Sequence, residues 1–118
     1  PIKSASSIVD ESVKIDYGTI IGNGVVVNNN TKIGKFSIIN SGAIIEHDVK
    51  IGDNVHIAPG AIVCGDVQIE NNITIGAGTV INQGLKVVGN VIIGSGSVVN
   101  IDILESGTYV GTPVRRIN

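Results

Sequence analysis

The sequence predicts an all-β chain wound as a left-handed parallel β-helix, a hexapeptide-repeat prism of about five to six coils with a short C-terminal cap. The first observation is that Ile or Val recurs at every sixth residue from Val9 to Val99 without a break. The second is the composition: 42% of the residues are hydrophobic, but only 3% are aromatic, and Trp and Met are absent. A core built from β-branched aliphatic residues favours strands over helices.

A period of six fits neither the 3.6-residue period of an amphipathic helix nor a heptad. It fits a short strand and a corner, and three such units close a triangular coil of about 18 residues that stacks at the ~4.8 Å strand spacing. A flat sandwich would not hold one period through the whole chain. The left-handed coil is a known exception to the rule of right-handed crossovers.

Each hexapeptide has three positions with an expected role. The Ile/Val ladder is predicted to fill the prism, and the residue two positions before each ladder residue, always small or aliphatic, is its inward partner. The position directly after each ladder residue is mostly Gly, Asn or acidic, the types that tolerate left-handed backbone geometry. The ladder consists of Val9, Ile15, Ile21, Val27, Ile33, Ile39, Ile45, Ile51, Ile57, Val63, Ile69, Ile75, Ile81, Val87, Ile93 and Val99.

Residues 1–118 are predicted to form a single β-helix domain. The polar residues 1–7 form a fraying first rung, residues 8–104 the hexapeptide coils, and residues 105–118 a cap, because the period fades after Val99. The end of a solenoid needs such a cover, since it otherwise exposes core and unpaired strand edges. Tyr109 is the expected lid on the last Ile/Val layer.

Composition and charge exclude several function classes. The net charge of −2 and the absence of basic runs argue against a nucleic-acid surface. No apolar stretch approaches the roughly 20 residues of a membrane span, and no signal-peptide pattern is present, so no membrane partner is expected. The single cysteine, Cys64, forms neither an internal disulfide nor a thiolate zinc site, which favours a cytoplasmic location.

The chemistry-bearing residues are concentrated in residues 40–65. Because residues 18 apart stack, His47 is predicted to lie directly under Gly65. An outward histidine beside Asp48, with a bare glycine backbone one rung above, has the parts of an acyl-transfer site: a general base, a carboxylate that fixes its tautomer, and N–H groups for an oxyanion. The alternative for His47 is an ordinary solvated surface histidine. Cys64 fits a structural corner residue better than a nucleophile.

Four segments resemble the bacterial sugar acetyltransferases, the hexapeptide-repeat enzymes that O-acetylate sialic acid or N-acetylate nucleotide-linked 4-amino sugars. Three of them lie in the central stretch, and the fourth resembles the closing segment of those enzymes. The similarity extends over essentially the whole chain. The segments are Asn40–Asp48 (NSGAIIEHD), Ile51–Ala61 (IGDNVHIAPGA), Cys64–Val67 (CGDV) and Val110–Arg115 (VGTPVR).

This resemblance implies a homotrimer that binds acetyl-CoA between neighbouring prisms and transfers the acetyl group directly to a sugar or nucleotide-sugar acceptor. His47 would be the general base and Asp48 its carboxylate partner. The coenzyme would be contacted by His56 at the thioester carbonyl, by the Gly65 backbone at the oxyanion, and by backbone groups of Ala77 and Ser95. Asn40 would help to place the acceptor.

The sequence departs from those enzymes in one respect. They usually carry an N-terminal nucleotide-binding-like βαβ domain, whereas this sequence starts at the prism. Either the sequence is the C-terminal part of such a protein, or it uses a smaller acceptor. The choice between an amino and a hydroxyl acceptor is left open as well.

Two other function classes remain. A γ-class carbonic anhydrase has a similar architecture, but its zinc needs three histidines per site and this chain offers only His47 and His56, so no metal is expected. A non-catalytic trimeric β-helix used for assembly or binding would need no coenzyme and no His47–Asp48 pair. An oligomer is expected in either case, because so small a prism buries little core and a convex surface lacks a cleft.

Overall fold

The computed structural model describes residues 1–118 and contains strands and turns but no helix. The expected short strand and corner recur along the whole chain, because each hexapeptide places its ladder residue at the end of a strand. Most strands are two or three residues long. They are β1 (Ile2–Lys3), β2 (Ile8–Val9), β3 (Lys14–Ile15), β4 (Ile20–Ile21), β5 (Val26–Val27), β6 (Lys32–Ile33), β7 (Ile38–Ile39), β8 (Ile44–Ile45), β9 (Lys50–Ile51), β10 (Val55–Ile57), β11 (Ile62–Val63), β12 (Gln68–Ile69), β13 (Ile73–Ile75), β14 (Val80–Ile81), β15 (Lys86–Val87), β16 (Val91–Ile93), β17 (Val98–Val99), β18 (Gly107–Val110) and β19 (Arg115–Arg116).

The strands form three sheets that are the faces of one prism, and all pairs are parallel except β18 with β19. Sheet A has the order β1-β4-β7-β10-β13-β16-β18-β19, sheet B β17-β14-β11-β8-β5-β2 and sheet C β15-β12-β9-β6-β3. Ile2 pairs with Ile20 and Ile20 with Ile38, so a regular coil takes 18 residues. The last step is shorter, since Ile93 pairs with Tyr109 after 16 residues. The molecule measures 37 × 21 × 20 Å. The predicted fold, an all-β left-handed β-helix, is confirmed.

The Ile/Val ladder fills the prism as predicted. Every ladder residue from Ile21 to Val99 is less than 9% exposed, and most of the inward partners are buried beside it. Only the first coil is less covered, since Val9 and Ile15 have fewer layers beneath them and are half-buried. The hydrophobic core is therefore one continuous aliphatic column along the axis.

Five of the buried inward partners are hydroxyl residues, and each of them satisfies its side chain inside the prism. For example, Thr31 donates to the Glu46 carbonyl at 2.9 Å and Ser37 to the Gly52 carbonyl at 3.0 Å. No buried side-chain polar atom lacks a partner. A buried hydroxyl is costly only when it is unpaired, so these residues are compatible with the core. The five are Thr19, Thr31, Ser37, Thr79 and Ser97.

The prediction for the left-handed corner position was wrong by two residues. Positive φ occurs at the third residue after the ladder, for example at Gly24, Asp48 and Asn54, and not at the residue directly after it. The position directly after the ladder holds glycine in several coils because the rungs approach each other closely. A Cβ at Gly76 would lie 2.6 Å from the carbonyl carbon of Gly94, which is backbone and cannot move aside.

The outward faces differ in chemistry, which the sequence analysis did not predict. Sheet C presents mostly lysine, whereas the outward position of sheet B is Ile or Val in all six strands, and all but the first are half-buried. Sheet A is mixed: Ile20 and Ile38 are followed in register by His56. The outward residues of sheet B are Ile8, Val26, Ile44, Ile62, Val80 and Val98.

The ends of the prism are ordered differently from each other. Residues 1–7 continue the regular bonding in place of the predicted fraying, since Ser4 N–H donates to the Ile21 carbonyl at 2.9 Å. At the other end Tyr109 pairs in register with Ile93, is 8% exposed and donates its hydroxyl to the Glu105 carbonyl at 2.7 Å. Tyr109 thus covers the last layer, and β19 folds back against β18.

The inward ladder makes a direct prediction about stability. Ile69→Ala should lower the free energy of unfolding by about 2–5 kcal/mol, because Ile69 is 3% exposed and the substitution leaves a cavity. Gln68→Ala, its exposed neighbour in β12, should change the free energy by less than about 0.5 kcal/mol. Chemical denaturation at one fixed protein concentration measures both. Equal losses would contradict the inward assignment.

Candidate active site

His47 and Asp48 lie at the corner between sheets B and C, which follows β8 and precedes β9. Asp48 occupies the left-handed corner position with φ of 57°, a conformation that a short polar side chain tolerates. This backbone turns the carboxylate toward the preceding residue, and His47 Nδ1 lies 2.9 Å from Asp48 Oδ2. The side chains of both residues are 46% exposed, so the pair is open to a substrate.

The hydrogen bond to Asp48 decides the chemistry of the His47 ring. A carboxylate accepts only, so Nδ1 carries the proton, and in the neutral imidazole Nε2 has a free lone pair. The bond to Asp48 raises the pKa of His47 above its ordinary value; slight desolvation opposes this, and the charges of Asp66, Asp48 and Glu46 add to it. His47 is therefore a stronger base than an isolated histidine and points its basic nitrogen away from Asp48.

Gly65 lies one rung above His47, as the 18-residue coil predicts. A Cβ at Gly65 would lie 2.5 Å from His47 Nε2 and 2.8 Å from Cε1. Other residues of this column, Asn29 and Gln83, carry side chains, so the coil itself does not demand glycine there. The absence of a side chain at Gly65 is what leaves room for the His47 ring.

Asp66 is a neighbour that the sequence analysis missed. It lies one rung above Asp48, and its backbone N–H donates to the His47 carbonyl at 3.0 Å. His47, Asp48 and Asp66 offer one ligand atom each within 4.8 Å of one another, and they are the residues that could hold a metal. One histidine and two exposed carboxylates are a different donor set from the three histidines of a γ-class carbonic anhydrase. Adding 18 to the number of Asp48 would have found this residue.

His56 lies on the outer face of sheet A and is hydrogen-bonded to Asn40. Asn40 Nδ2 is 3.2 Å from His56 Nε2, and Asn40 Oδ1 accepts the Ser41 N–H at 2.8 Å. The bond from Ser41 fixes the orientation of the amide, so Nδ2 donates and His56 Nε2 must accept. The neutral His56 ring consequently carries its proton on Nδ1, where it is available as a donor to a ligand.

The sequence-predicted residues fall into two groups on one chain. His47, Asp48 and Gly65 are at the corner between sheets B and C. The second group is on the other side of sheet B. His56 lies in β10 of sheet A, and the corner between sheets A and B holds Asn40, Ala77 and Ser95. Sheet B separates the groups, so a single chain does not bring all of these residues to one place.

Cys64 is not a candidate catalytic residue in either group. Its partial burial, together with the charge of Glu46 one rung below, raises the pKa of the Cys64 thiol above its usual value. A protonated thiol is a poor nucleophile. This agrees with the structural role expected from its corner position.

The repeats match a known family model. The model described as "Bacterial transferase hexapeptide (six repeats)" matches residues 30–65 and again residues 48–83. These two ranges contain the strands and corners that carry His47, His56 and Gly65. Both matched ranges consist of the hexapeptide repeats that build the left-handed β-helix.

Three solved structures share the fold of this hexapeptide-repeat protein closely. PerB of Caulobacter crescentus, solved with CoA and GDP-perosamine, is 28% identical with a TM-score of 0.96 over 99% of this chain. WeeI of Acinetobacter baumannii is 34% identical with a TM-score of 0.94 over 98% of this chain. The acetyltransferase domain of PglB from Neisseria gonorrhoeae, solved with acetyl coenzyme A, is 29% identical with a TM-score of 0.94 over 98% of this chain.

The hexapeptide-repeat protein spans little more than half of these relatives, covering 57% of PerB, 57% of WeeI and 56% of the PglB chain. Among curated protein sequences none is similar enough to count as a match. No helix in the structure is long and apolar enough to cross a membrane.

The contact between His47 and Gly65 can be tested without an assay of activity. Gly65→Ala should displace the ring from Asp48, because the new Cβ would occupy the position next to Nε2. The pKa of His47 should then fall toward the ordinary histidine value of about 6.5. An NMR titration of the imidazole measures this shift. Gln83→Ala, in the same column, is the matched control and should leave the pKa of His47 unchanged, and an unshifted pKa in Gly65→Ala would contradict the contact.

Proposed function

We propose that the chain is the β-helix of an acetyl-CoA-dependent acetyltransferase that transfers acetyl to an amino or hydroxyl group of a sugar, including nucleotide-linked sugars. The observation that carries this proposal is the geometry of His47: Nδ1 is bonded to Asp48, and the basic Nε2 lies against the bare backbone of Gly65. The likeness to PerB and to the PglB domain, each solved with the coenzyme, supports the choice of acetyl-CoA.

In the proposed reaction His47 Nε2 removes a proton from the acceptor as its nitrogen or oxygen attacks the thioester carbonyl. The Asp48 carboxylate stabilises the imidazolium that forms. The oxyanion is stabilised by the N–H of Gly65, which donates to no other group in the chain. When the tetrahedral intermediate collapses, the C–S bond breaks, and CoA leaves as the thiol after taking the proton from the His47 imidazolium, which returns the ring to its neutral form. No acyl-enzyme is needed, because the acceptor attacks the thioester directly.

The second group of residues contributes the coenzyme side of the site. His56 would donate its Nδ1–H to the thioester carbonyl, while backbone groups of Ala77 and Ser95 would contact the rest of the coenzyme. Asn40 fixes the tautomer of His56 and helps to place the acceptor. These residues lie on the far side of sheet B from His47, so they serve the same reaction only when they come from different subunits.

We propose a homotrimer in which sheet B faces the threefold axis. Its outward side chains are aliphatic in every strand, and apolar surface of this extent is stabilised by burial. A threefold operation about this face brings the His47 corner of one subunit toward the His56 corner of the next. The cleft absent from a single convex prism would then form between subunits.

A non-catalytic assembly module is the second candidate, and the aliphatic face of sheet B alone would fit it equally well. The His47–Asp48 hydrogen bond and the missing side chain above it at Gly65 favour an enzyme, because an assembly surface needs neither a basic nitrogen nor a glycine that makes room for its ring. Measured binding of acetyl-CoA separates the two.

The general-base role of His47 is tested by kinetics with acetyl-CoA and a panel of amino sugars and nucleotide-linked amino sugars. His47→Ala should lower kcat by about 10²–10⁴ and leave the KM for acetyl-CoA nearly unchanged, since His47 contacts the acceptor rather than the coenzyme. Near-normal transfer by His47→Ala to any acceptor that the wild type uses would overturn the assignment.

The role of Asp48 is tested by comparing the pH dependence of the rate in Asp48→Asn with that in the wild type. Activity requires neutral His47, so the rate should rise as pH increases through the raised pKa of His47. Loss of the bond to Asp48 lowers that pKa, and the midpoint of the profile should move to lower pH, with a smaller fall in the maximal rate than in His47→Ala. A midpoint unchanged or moved to higher pH would contradict the role of Asp48.

A further inference from the structure

The outer face of sheet C carries a ladder of lysines that the proposed reaction does not use. Lys14 pairs in register with Lys32, and Lys32 with Lys50. Lys86, two rungs above Lys50, has its Nζ 3.3 Å from Glu70 Oε2. None of the other three lysines has a carboxylate oxygen within 4.0 Å of its Nζ. The three unpaired lysines are exposed and lie on consecutive rungs.

Stacking like charges in this way is unfavourable. Neighbouring rungs are only ~4.8 Å apart, and like charges directly opposite each other on paired strands destabilise a sheet. An anion held between the ammonium groups would offset this repulsion. The other two faces of the prism present mainly aliphatic side chains, so sheet C is the face suited to a negatively charged ligand.

Two grooves connect this ladder with the candidate base. One, of about 470 Å³, is lined by Asp48 and Asp66 on one wall and by Lys32 and Lys50 on the other. The second, of about 420 Å³, is lined by Lys14 and Lys32 and also by Asp16 and Asp53. Lys32 borders both grooves, so a continuous row of lysines runs along grooves of mixed charge from the His47–Asp48 pair toward the N-terminal end of the prism.

Acetyl-CoA and a nucleotide-linked acceptor both carry phosphates. The place of the lysines relative to His47 indicates which of the two substrates they would bind. The coenzyme contacts proposed above, Ala77 and Ser95, lie in coils on the C-terminal side of His47. Lys32 and Lys14 lie one and two rungs away on the N-terminal side. The acceptor is therefore the substrate assigned to the N-terminal side of His47. If the reactive group of its sugar lies at His47, its anomeric phosphate would point along the prism toward Lys32 and Lys14.

Resting on the proposed function, we propose that Lys14 and Lys32 bind the diphosphate of a nucleotide-linked acceptor on the prism itself. Lysine ammonium groups form charge-assisted hydrogen bonds with phosphate oxygens. Asp48 and Asp66 lie at the end that would receive the reactive amino or hydroxyl group, and Lys14 and Lys32 lie where the diphosphate would extend.

Calorimetric titration with UDP, GDP and dTDP as separate probes tests the subsite. The double variant Lys14→Gln/Lys32→Gln should weaken the binding of whichever diphosphate the wild type binds by about tenfold or more, and the parent nucleosides should bind far more weakly than the diphosphates. Lys86→Gln, in the same column but paired with Glu70, is the matched control and should leave the affinity unchanged.

Three results would overturn the subsite: none of the diphosphates binds the wild type, Lys86→Gln weakens binding as much as the double variant does, or the double variant loses affinity for CoA instead. CoA affinity of the wild type, measured in parallel, reports on the proposed function separately. Retained CoA binding with no diphosphate binding would reject the lysine subsite alone, whereas loss of both would reject the acetyltransferase assignment as well.

Discussion

The structure depends on one constraint, the stacking of residues 18 apart at the strand spacing. Backbone hydrogen bonds between rungs set this spacing, and the aliphatic column inside holds the rungs together by burial. The stacking fixes what every residue contacts: its neighbours above and below are known once its number is known. Glycine is needed wherever a neighbouring rung or side chain occupies the place of a Cβ, as at Gly76 beneath the backbone of Gly94.

The same constraint builds the candidate site. The histidine and its carboxylate are adjacent in sequence, but the room for the imidazole is provided one coil later by Gly65. Asp48 reaches His47 because the corner position gives it a left-handed backbone. Three local departures from the regular repeat thus make up the candidate site: an outward histidine, an aspartate at the corner, and a missing side chain above them.

Much of this could be predicted from the sequence, because an unbroken period of six in Ile and Val allows few folds. The inward columns and the stacking of His47 under Gly65 follow from counting, and the cap follows from the end of the period after Val99. The left-handed position was also marked in the sequence, because 13 of the 14 positive-φ residues that lie three after a ladder residue are Gly, Asn or Asp. Phe36, with φ of 53°, is the one exception. Gly and Asn also recur at the position directly after the ladder for a different reason, the close approach of the rungs.

Other features were present in the sequence but were not recognised there. Asp66 and the lysines of sheet C lie at positions that the 18-residue step connects to Asp48 and to one another, as do the aliphatic residues on the outside of sheet B. By contrast, the bond between Asn40 and His56 depends on side-chain rotamers, which a repeat does not specify. The separation of His47 from His56 by sheet B is the feature that makes an assembly of subunits necessary to the proposed reaction.

The measurement that tests this account most directly uses mixed oligomers of His47→Ala, which should have a low kcat, and His56→Ala, which should have a raised KM for acetyl-CoA. If each site combines His47 of one subunit with His56 of its neighbour, some interfaces in a mixed trimer keep both residues, and activity should rise above that of either variant on mixing after subunit exchange. The oligomer should also be threefold by light scattering at micromolar concentration. A monomeric protein, or mixed oligomers no more active than either variant alone, would contradict a shared site.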